Sequence, residues 1–362
     1  MITVKLSSLN TIKLKVPLNK LMKTRHVHLE HVYCLLFLLQ TDTGIEGQGL
    51  LRASTLADIN IIENCIHTLF SEKLLQQGFV SPEALWQHLW LHKRNHLQSG
   101  YALYALAAID LAAWDIQAKH ENKPLHQLFN IKKDFVVPYG NGGWLTDTHQ
   151  EMKEDVAWYL DRGCHHFKMR IGCDNDLERI KFLRHTFGND LTLSVDANQY
   201  YDFDSAIEIS KRLADFDVAW FEEPLFSNSI TELARLAELS PVAIATGENM
   251  NCHWAIQDVC TLKAAKILQP DVIYQGGITG FKRSAKIIND ANLILGPHLF
   301  HELSCSLAGL CDSHYIEHID FFPEDLFTHD FNIKDGKIKL PKMPGHGVVV
   351  PQQAIKKYQL QN

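Results

Sequence analysis

The chain has 362 residues, 46% of them hydrophobic, with a net charge of −7 and a pI near 6.3. That length exceeds one small domain and predicts a large core with a smaller domain attached. No long basic run occurs, which argues against nucleic acid or an anionic membrane as the main partner, so an acidic ligand has to meet local positive charge.

Eight cysteines, Cys34, Cys65, Cys164, Cys173, Cys252, Cys260, Cys305 and Cys311, form no C-x-x-C pair. The start, Met1-Ile2-Thr3-Val4-Lys5, lacks a signal-peptide pattern, so the thiols read as reduced and mostly buried in a cytoplasmic protein. The longest apolar run, Val32 to Leu39, is too short to span a bilayer and reads as a buried strand.

Taken in order, Ile2, Val4, Leu6, Ile12, Leu14 and Val16 alternate as a strand does, up to Pro17. A polar, His-rich connection follows, with Lys23-Thr24-Arg25-His26-Val27-His28. Apolar runs at 32–39 and 45–51 flank Thr41-Asp42-Thr43-Gly44, a hairpin signal. Helical patterns cover 56–70, 82–91 and the Ala-rich 101–119. Residues 1–125 therefore read as an α+β domain, sheet first and helices after.

The rhythm changes near Phe135. Short apolar runs at 135–139, 166–171, 191–195, 218–221, 242–245, 266–268, 293–295 and 314–316 alternate with amphipathic helices such as 204–215, 230–239 and 281–291. Eight such βα units predict an α/β barrel over residues 126–330. Residues 331–362 carry a strand-like coda at 331–340 and 345–350 that is expected to pack back on the first domain.

Three of the apolar runs end in carboxylates: Ser194-Val195-Asp196, Trp220-Phe221-Glu222 and Thr246-Gly247-Glu248. Asp196, Glu222 and Glu248 recur every 26 residues, the length of one strand, one helix and two short loops. They fall at the C-terminal ends of successive parallel strands, where such a barrel keeps its chemistry. A single acid there often just caps the next helix. Three at one period, with no Cys or His among them, favour a hard cation, magnesium or manganese.

One unit earlier, Lys168 and Arg170 are two residues apart on a strand and share a face, so two cations meet the same site. After the carboxylates come Gln269-Pro270-Asp271 and Gly296-Pro297-His298, on neighbouring strands within reach of each other. An Asp orienting a His is a general-base device. Glu317 ends the eighth strand; near other acids and partly buried, it is expected to stay protonated and donate a hydrogen bond.

These residues carry a resemblance. Lys168-x-Arg170, Asp196 with Asn198, Glu222 in Trp-Phe-Glu-Glu-Pro, Glu248 in Thr-Gly-Glu-Asn, Asp271, His298 after Pro297 and Glu317 in Tyr-Ile-Glu-His together resemble the mandelate racemase subgroup of the enolase superfamily. Asp196-Ala197-Asn198-Gln199 and Gly345-His346-Gly347 look like acid-sugar dehydratases of the galactarate/talarate type. The resemblance implies a modified barrel under an N-terminal capping domain. It also implies magnesium on Asp196, Glu222 and Glu248, with Lys168 beside the substrate carboxylate. His298 would take the α-proton, Asn198 and Arg25 would touch substrate, and residues 18–31 would form a lid. The use of a Lys or His base with magnesium is a known trait of this superfamily. The expected partners are a small acid sugar and further copies of the chain, without nucleic acid or membrane.

One departure matters. Racemases of this family place a second Lys where Arg170 stands, and a guanidinium holds its proton too tightly to be an ordinary base. Racemisation needs a base on each face of the α-carbon, whereas β-elimination of water needs one base and an acid. Arg170 thus tilts the reading toward dehydration, with a racemase or epimerase as the alternative and a non-catalytic metabolite-binding barrel as a third. Two decoys are set aside. His26-Val27-His28 lies in a polar loop ahead of the barrel, and Gly276-Gly277 reads as a tight turn rather than a phosphate cradle.

Overall fold

A computed structural model describes residues 4–23, 28–76 and 78–361. Strands β1 (Leu6–Lys23), β2 (His28–Thr41) and β3 (Glu46–Ala53) form an antiparallel sheet in that order. The β2–β3 turn is closed by the Thr41 hydroxyl, which accepts from the Ile45 amide at 2.9 Å. Five helices follow: α1 (Leu56–Cys65), α2 (Ser71–Gln76), α3 (Pro82–Lys93), α4 (Tyr101–His120) and α5 (Leu125–Leu128). The Ala-rich spacing of α4 has a packing reason. A Cβ on Gly47 or Gly49 of β3 would overlap the carbonyl oxygens of Ala112 and Ala108, so helix and sheet touch backbone to backbone.

Eight parallel strands come next: β5 (Pro138–Gly142), β6 (His166–Arg170), β7 (Thr192–Asp196), β8 (Val218–Glu222), β9 (Ile244–Thr246), β10 (Ile267–Leu268), β11 (Ile294–Leu295) and β12 (Ile316–His318). They are hydrogen-bonded in the order β12-β5-β6-β7-β8-β9-β10-β11. A parallel bridge from Leu295 to His314 joins the last strand to the approach of β12 and closes the ring. Outside it lie α6 (His149–Leu160), α7 (Asp176–Phe187), α8 (Phe203–Ala214), α9 (Ile230–Leu239), α10 (Cys252–Leu262), α11 (Ile278–Asp290) and α12 (His301–Ala308). The predicted α/β barrel with an α+β partner is the observed architecture.

The first barrel strand differs from the expected 135–139. Phe135–Val136 forms β4, which pairs antiparallel with β13 (Ile338–Lys339) outside the ring. The barrel strand is Pro138-Tyr139-Gly140-Asn141-Gly142. Its two glycines are needed for space: a Cβ on Gly140 would lie 2.6 Å from the Tyr159 ring, and one on Gly142 would lie 2.6 Å from Asp155 Oδ2. With so little apolar content it gave no strand signal.

Barrel and first domain are joined through buried polar contacts. The Trp86 indole donates to the Gly276 carbonyl at 2.8 Å, and the Trp114 indole donates to Thr279 Oγ1 at 2.9 Å. Burying each ring contributes at most about 4–6 kcal/mol of hydrophobic driving force. Asp110 accepts from the Thr279 amide at 2.8 Å, capping α11. The tail crosses to the same domain: His346 Nε2 meets the Gln48 carbonyl at 2.6 Å, and the Val350 amide donates to Gln48 Oε1 at 3.0 Å. Helix α13 (Gln352–Tyr358) follows, and the Leu360 amide donates to the Lys13 carbonyl at 2.9 Å.

Candidate active site

Asp196 and Glu222 end adjacent strands and are paired in register. Glu248 lies two residues beyond β9 after Gly247, whose φ of +133° and close approach to the Gln269 amide leave no room for a Cβ. The regular spacing thus becomes convergence: one oxygen from each of the three buried carboxylates lies within 4.8 Å of the others.

Lys168 is fully buried opposite them. Its Nζ is 2.5 Å from Glu222 Oε1, 2.8 Å from Glu317 Oε1 and 3.4 Å from Asp196 Oδ2. Burial alone would favour loss of its proton, but Glu222 and Glu317 outweigh that and hold the ammonium firmly charged. Arg170 Nη1 pairs with Asp196 Oδ2. Burial opposes its charge too, yet Asp196 and Glu248 raise its pKa further, so it is no proton acceptor.

His298 Nδ1 meets Asp271 Oδ2 at 3.0 Å, and Asp271 Oδ1 accepts from the Ile273 amide at 2.8 Å. The ring is therefore oriented from behind, and its Nε2 points into the site, 3.5 Å from Glu248 Oε2. Burial pulls the imidazole pKa down. Glu248, the Asp271 hydrogen bond and Glu317 more than reverse it, leaving it raised. Directly after His298, Leu299 and Phe300 both adopt φ of +44°. Two consecutive left-handed non-glycine residues store about 1–2 kcal/mol each. The Leu299 amide donates to Glu317 Oε2 at 2.6 Å, which helps hold that turn.

Glu317 corrects an expectation. Its oxygens face donors: Lys168, the Leu299 amide and Asn141 Nδ2 at 2.5 Å. Burial raises a carboxyl, but Lys168 and His298 lower it further, to about 2. The group is an ionised acceptor here, not a protonated donor, because its oxygens meet three donors, one of them the Lys168 ammonium.

Asn198 stands at the same carboxylates. Its amide donates to Asp196 Oδ1 at 2.8 Å and its Nδ2 to Glu248 Oε1 at 3.4 Å, so it braces two carboxylates. Arg25, His26 and Val27 lie outside the described residues. Gly277, with φ of +97°, meets Asp110 where a phosphate would have to sit, so the tight-turn reading holds.

Three further residues escaped the sequence reading. Gln269 Nε2 and the Trp220 indole donate to Glu222 Oε2 at 2.5 and 3.2 Å. Asn141 reaches Glu317 from β5. Gln269 stood in plain view beside Pro270-Asp271, but only the barrel geometry shows that it turns toward Glu222.

The three carboxylates suit a hard divalent cation. Burial pushes the Glu222 carboxyl up and neighbouring Asp196 pushes it further, a repulsion that a cation would relieve. Glu248 Oε2 has no hydrogen-bond partner among the described residues, so one buried oxygen is free to ligate. The donors are all carboxylate oxygens, the set magnesium and manganese take.

A parallel barrel under an α+β cap, with strand-end carboxylates facing an oriented histidine, defines an enolase-type barrel. The mandelate racemase / muconate lactonizing enzyme N-terminal domain matches residues 2–130, and the enolase C-terminal domain-like family matches residues 151–354. The chain belongs to this family. The 3,6-anhydro-alpha-L-galactonate cycloisomerase of Streptomyces coelicolor is 30% identical over 272 residues, 74% of this chain and 75% of that protein. The L-talarate/galactarate dehydratase of Salmonella typhimurium is 27% identical over 98% of this chain and 90% of its own. The crystal structure of L-talarate dehydratase from Polaromonas sp. JS666, complexed with Mg and L-glucarate, superposes with a TM-score of 0.90 at 26% identity, covering 99% of this chain and 98% of that one. The chain's relatives thus include dehydratases and cycloisomerases acting on acid sugars or their derivatives, and the N-succinyl-L-Arg/Lys racemase of Bacillus cereus is a more distant one.

Proposed function

We propose that this chain is a magnesium-dependent acid-sugar dehydratase that forms a 2-keto-3-deoxy acid. The observation that carries the reading is an asymmetry: one histidine base oriented by Asp271, and a guanidinium tied to Asp196 where a second base would stand.

Asp196, Glu222 and Glu248 would hold the magnesium. When bound, the cation supplies positive charge against the substrate carboxylate and the negative charge that builds there. Lys168 adds a second fixed charge at that carboxylate. His298 Nε2 removes the proton next to the carboxylate, and Asp271 stabilises the resulting imidazolium. The C–H pair becomes the new carbon–carbon double bond as the β C–O bond breaks. The imidazolium returns its proton to the departing hydroxyl, which leaves as water. The enol product then tautomerises to the 2-keto acid. One residue serves as base and then acid, so Arg170 is left as fixed charge.

The test is a panel of aldonates and aldarates incubated with protein and magnesium and assayed for 2-keto acid. At least one is dehydrated by wild type, and none by His298→Asn. Epimerisation of the panel without keto-acid formation would move the racemase reading ahead.

A further inference from the structure

We infer that the hydrogen bonds around the carboxylate triad select the ion that binds there. They occupy one oxygen of each acid, so that Asp196, Glu222 and Glu248 each offer a single oxygen, and the centre takes magnesium or manganese and discriminates against calcium. Asn249 and Gln269 are the positioning residues that impose this. The inference rests on the magnesium site described above and deepens it.

A carboxylate oxygen has two lone pairs, so two donors fill it. Asp196 Oδ2 faces Arg170 Nη1 and Lys168 Nζ, the latter at 3.4 Å. Its Oδ1 accepts only from the Asn198 amide among the described residues, at 2.8 Å. Glu222 Oε2 accepts from Gln269 Nε2 at 2.5 Å and from the Trp220 indole at 3.2 Å. Its Oε1 meets Lys168 Nζ at 2.5 Å. Glu248 Oε1 accepts from Asn198 Nδ2 at 3.4 Å and from Asn249 Nδ2 at 3.3 Å. Its Oε2 has no hydrogen-bond partner among the described residues. All three acids thus share one pattern: two donors on one oxygen, and one or none on the other.

The braces are themselves held. Asn249 Nδ2 also donates to Glu223 Oε2 at 2.7 Å, so both of its protons are used. Glu223 is fully buried, with φ of +41°, and its Oε1 meets Thr246 Oγ1 at 3.4 Å. This fourth acid stands behind the triad as the acceptor that orients Asn249. Gln269 is buried directly after β10, and its backbone amide donates to the Thr246 carbonyl at 2.9 Å.

Single-oxygen ligands separate the two kinds of ion. Magnesium keeps strict octahedral geometry and several waters, and it takes one oxygen from each carboxylate. Calcium is larger, wants more oxygens and gains most from carboxylates that offer both. Turning Glu222 or Glu248 to do so would strip buried hydrogen bonds from Gln269 and Trp220, or from Asn198 and Asn249. Asn249 and Gln269 carry no charge, so replacing them opens an oxygen without changing the charge of the centre.

Isothermal titration of metal-free full-length protein with magnesium, manganese and calcium chlorides tests this without substrate or turnover. Wild type is expected to bind magnesium and manganese at least about tenfold more tightly than calcium. Asn249→Ala and Gln269→Leu should each move the magnesium-to-calcium ratio about fivefold or more toward calcium. A merely structural loosening would instead weaken all three ions in parallel. Thermal unfolding in chelator verifies that the variants are folded; they are independent, so either one carries the test, and the wild-type ratio needs neither. Calcium bound by wild type as tightly as magnesium, or a ratio unchanged in a folded variant, overturns the inference and leaves the magnesium site standing. A wild type that binds none of the three ions refutes the magnesium site itself and this inference with it.

Discussion

On the proposed mechanism His298 and Asp271 act as one unit, and that makes their variants unequal. Asp271→Asn keeps the shape but removes the charge that stabilises the imidazolium, and it lets the wrong nitrogen carry the proton. Its kcat should fall about a thousandfold with KM changed only a few-fold, as steady-state kinetics on the working substrate would show. A comparable loss in KM would mean that Asp271 serves binding. Glu317 gives a second contrast. Because Lys168 and the Leu299 amide both lean on its charge, Glu317→Gln should lose activity nearly as far as Glu317→Ala, by at least about tenfold. A glutamine variant with near wild-type turnover would show that the neutral acid is the working form.

At the scale of strands and helices, much of the site was legible because a barrel turns sequence period into position. Asp196, Glu222 and Glu248 could be placed on neighbouring strand ends by counting alone, and Asp271 and His298 likewise. Strand β5 was not legible, since close packing against Tyr159 demanded glycine where a strand pattern wants apolar bulk. Nor were the braces Gln269, Trp220 and Asn141, whose roles depend on side-chain direction within the ring. The charge state of Glu317 was hidden for the same reason: sequence showed the acids around it but not the three donors, Lys168 among them, that its oxygens meet. The turn into α11 offers a test of packing. Gly277→Ala must hold φ near +97° and push a methyl into Asp110, so it should destabilise the fold by about 2 kcal/mol or more, measured by denaturant unfolding. An unchanged midpoint would show that this junction yields.

Across the whole molecule, the N-terminal domain and the tail close over a barrel whose centre carries mutually repelling carboxylates. A cation that binds the folded chain and not the unfolded one must stabilise it by mass action. Magnesium at a hundred times its dissociation constant should add about 2.7 kcal/mol. Chelation should lower the melting temperature and added magnesium restore it, while Asp196→Asn with Glu248→Gln should abolish the magnesium response. A melting temperature indifferent to magnesium in wild type would count against the carboxylate triad as its site.

The proposed reaction requires that one base works on one face of the α-carbon and that proton removal leads to loss of water. Incubation of the magnesium-loaded protein with both α-epimers of a working acid sugar in heavy water tests it most directly, with products and recovered substrate followed by NMR. A 2-keto-3-deoxy acid is expected from a single α-configuration, with the opposite epimer recovered unlabelled. Interconversion of the two epimers at comparable rates, each gaining solvent deuterium, would contradict it.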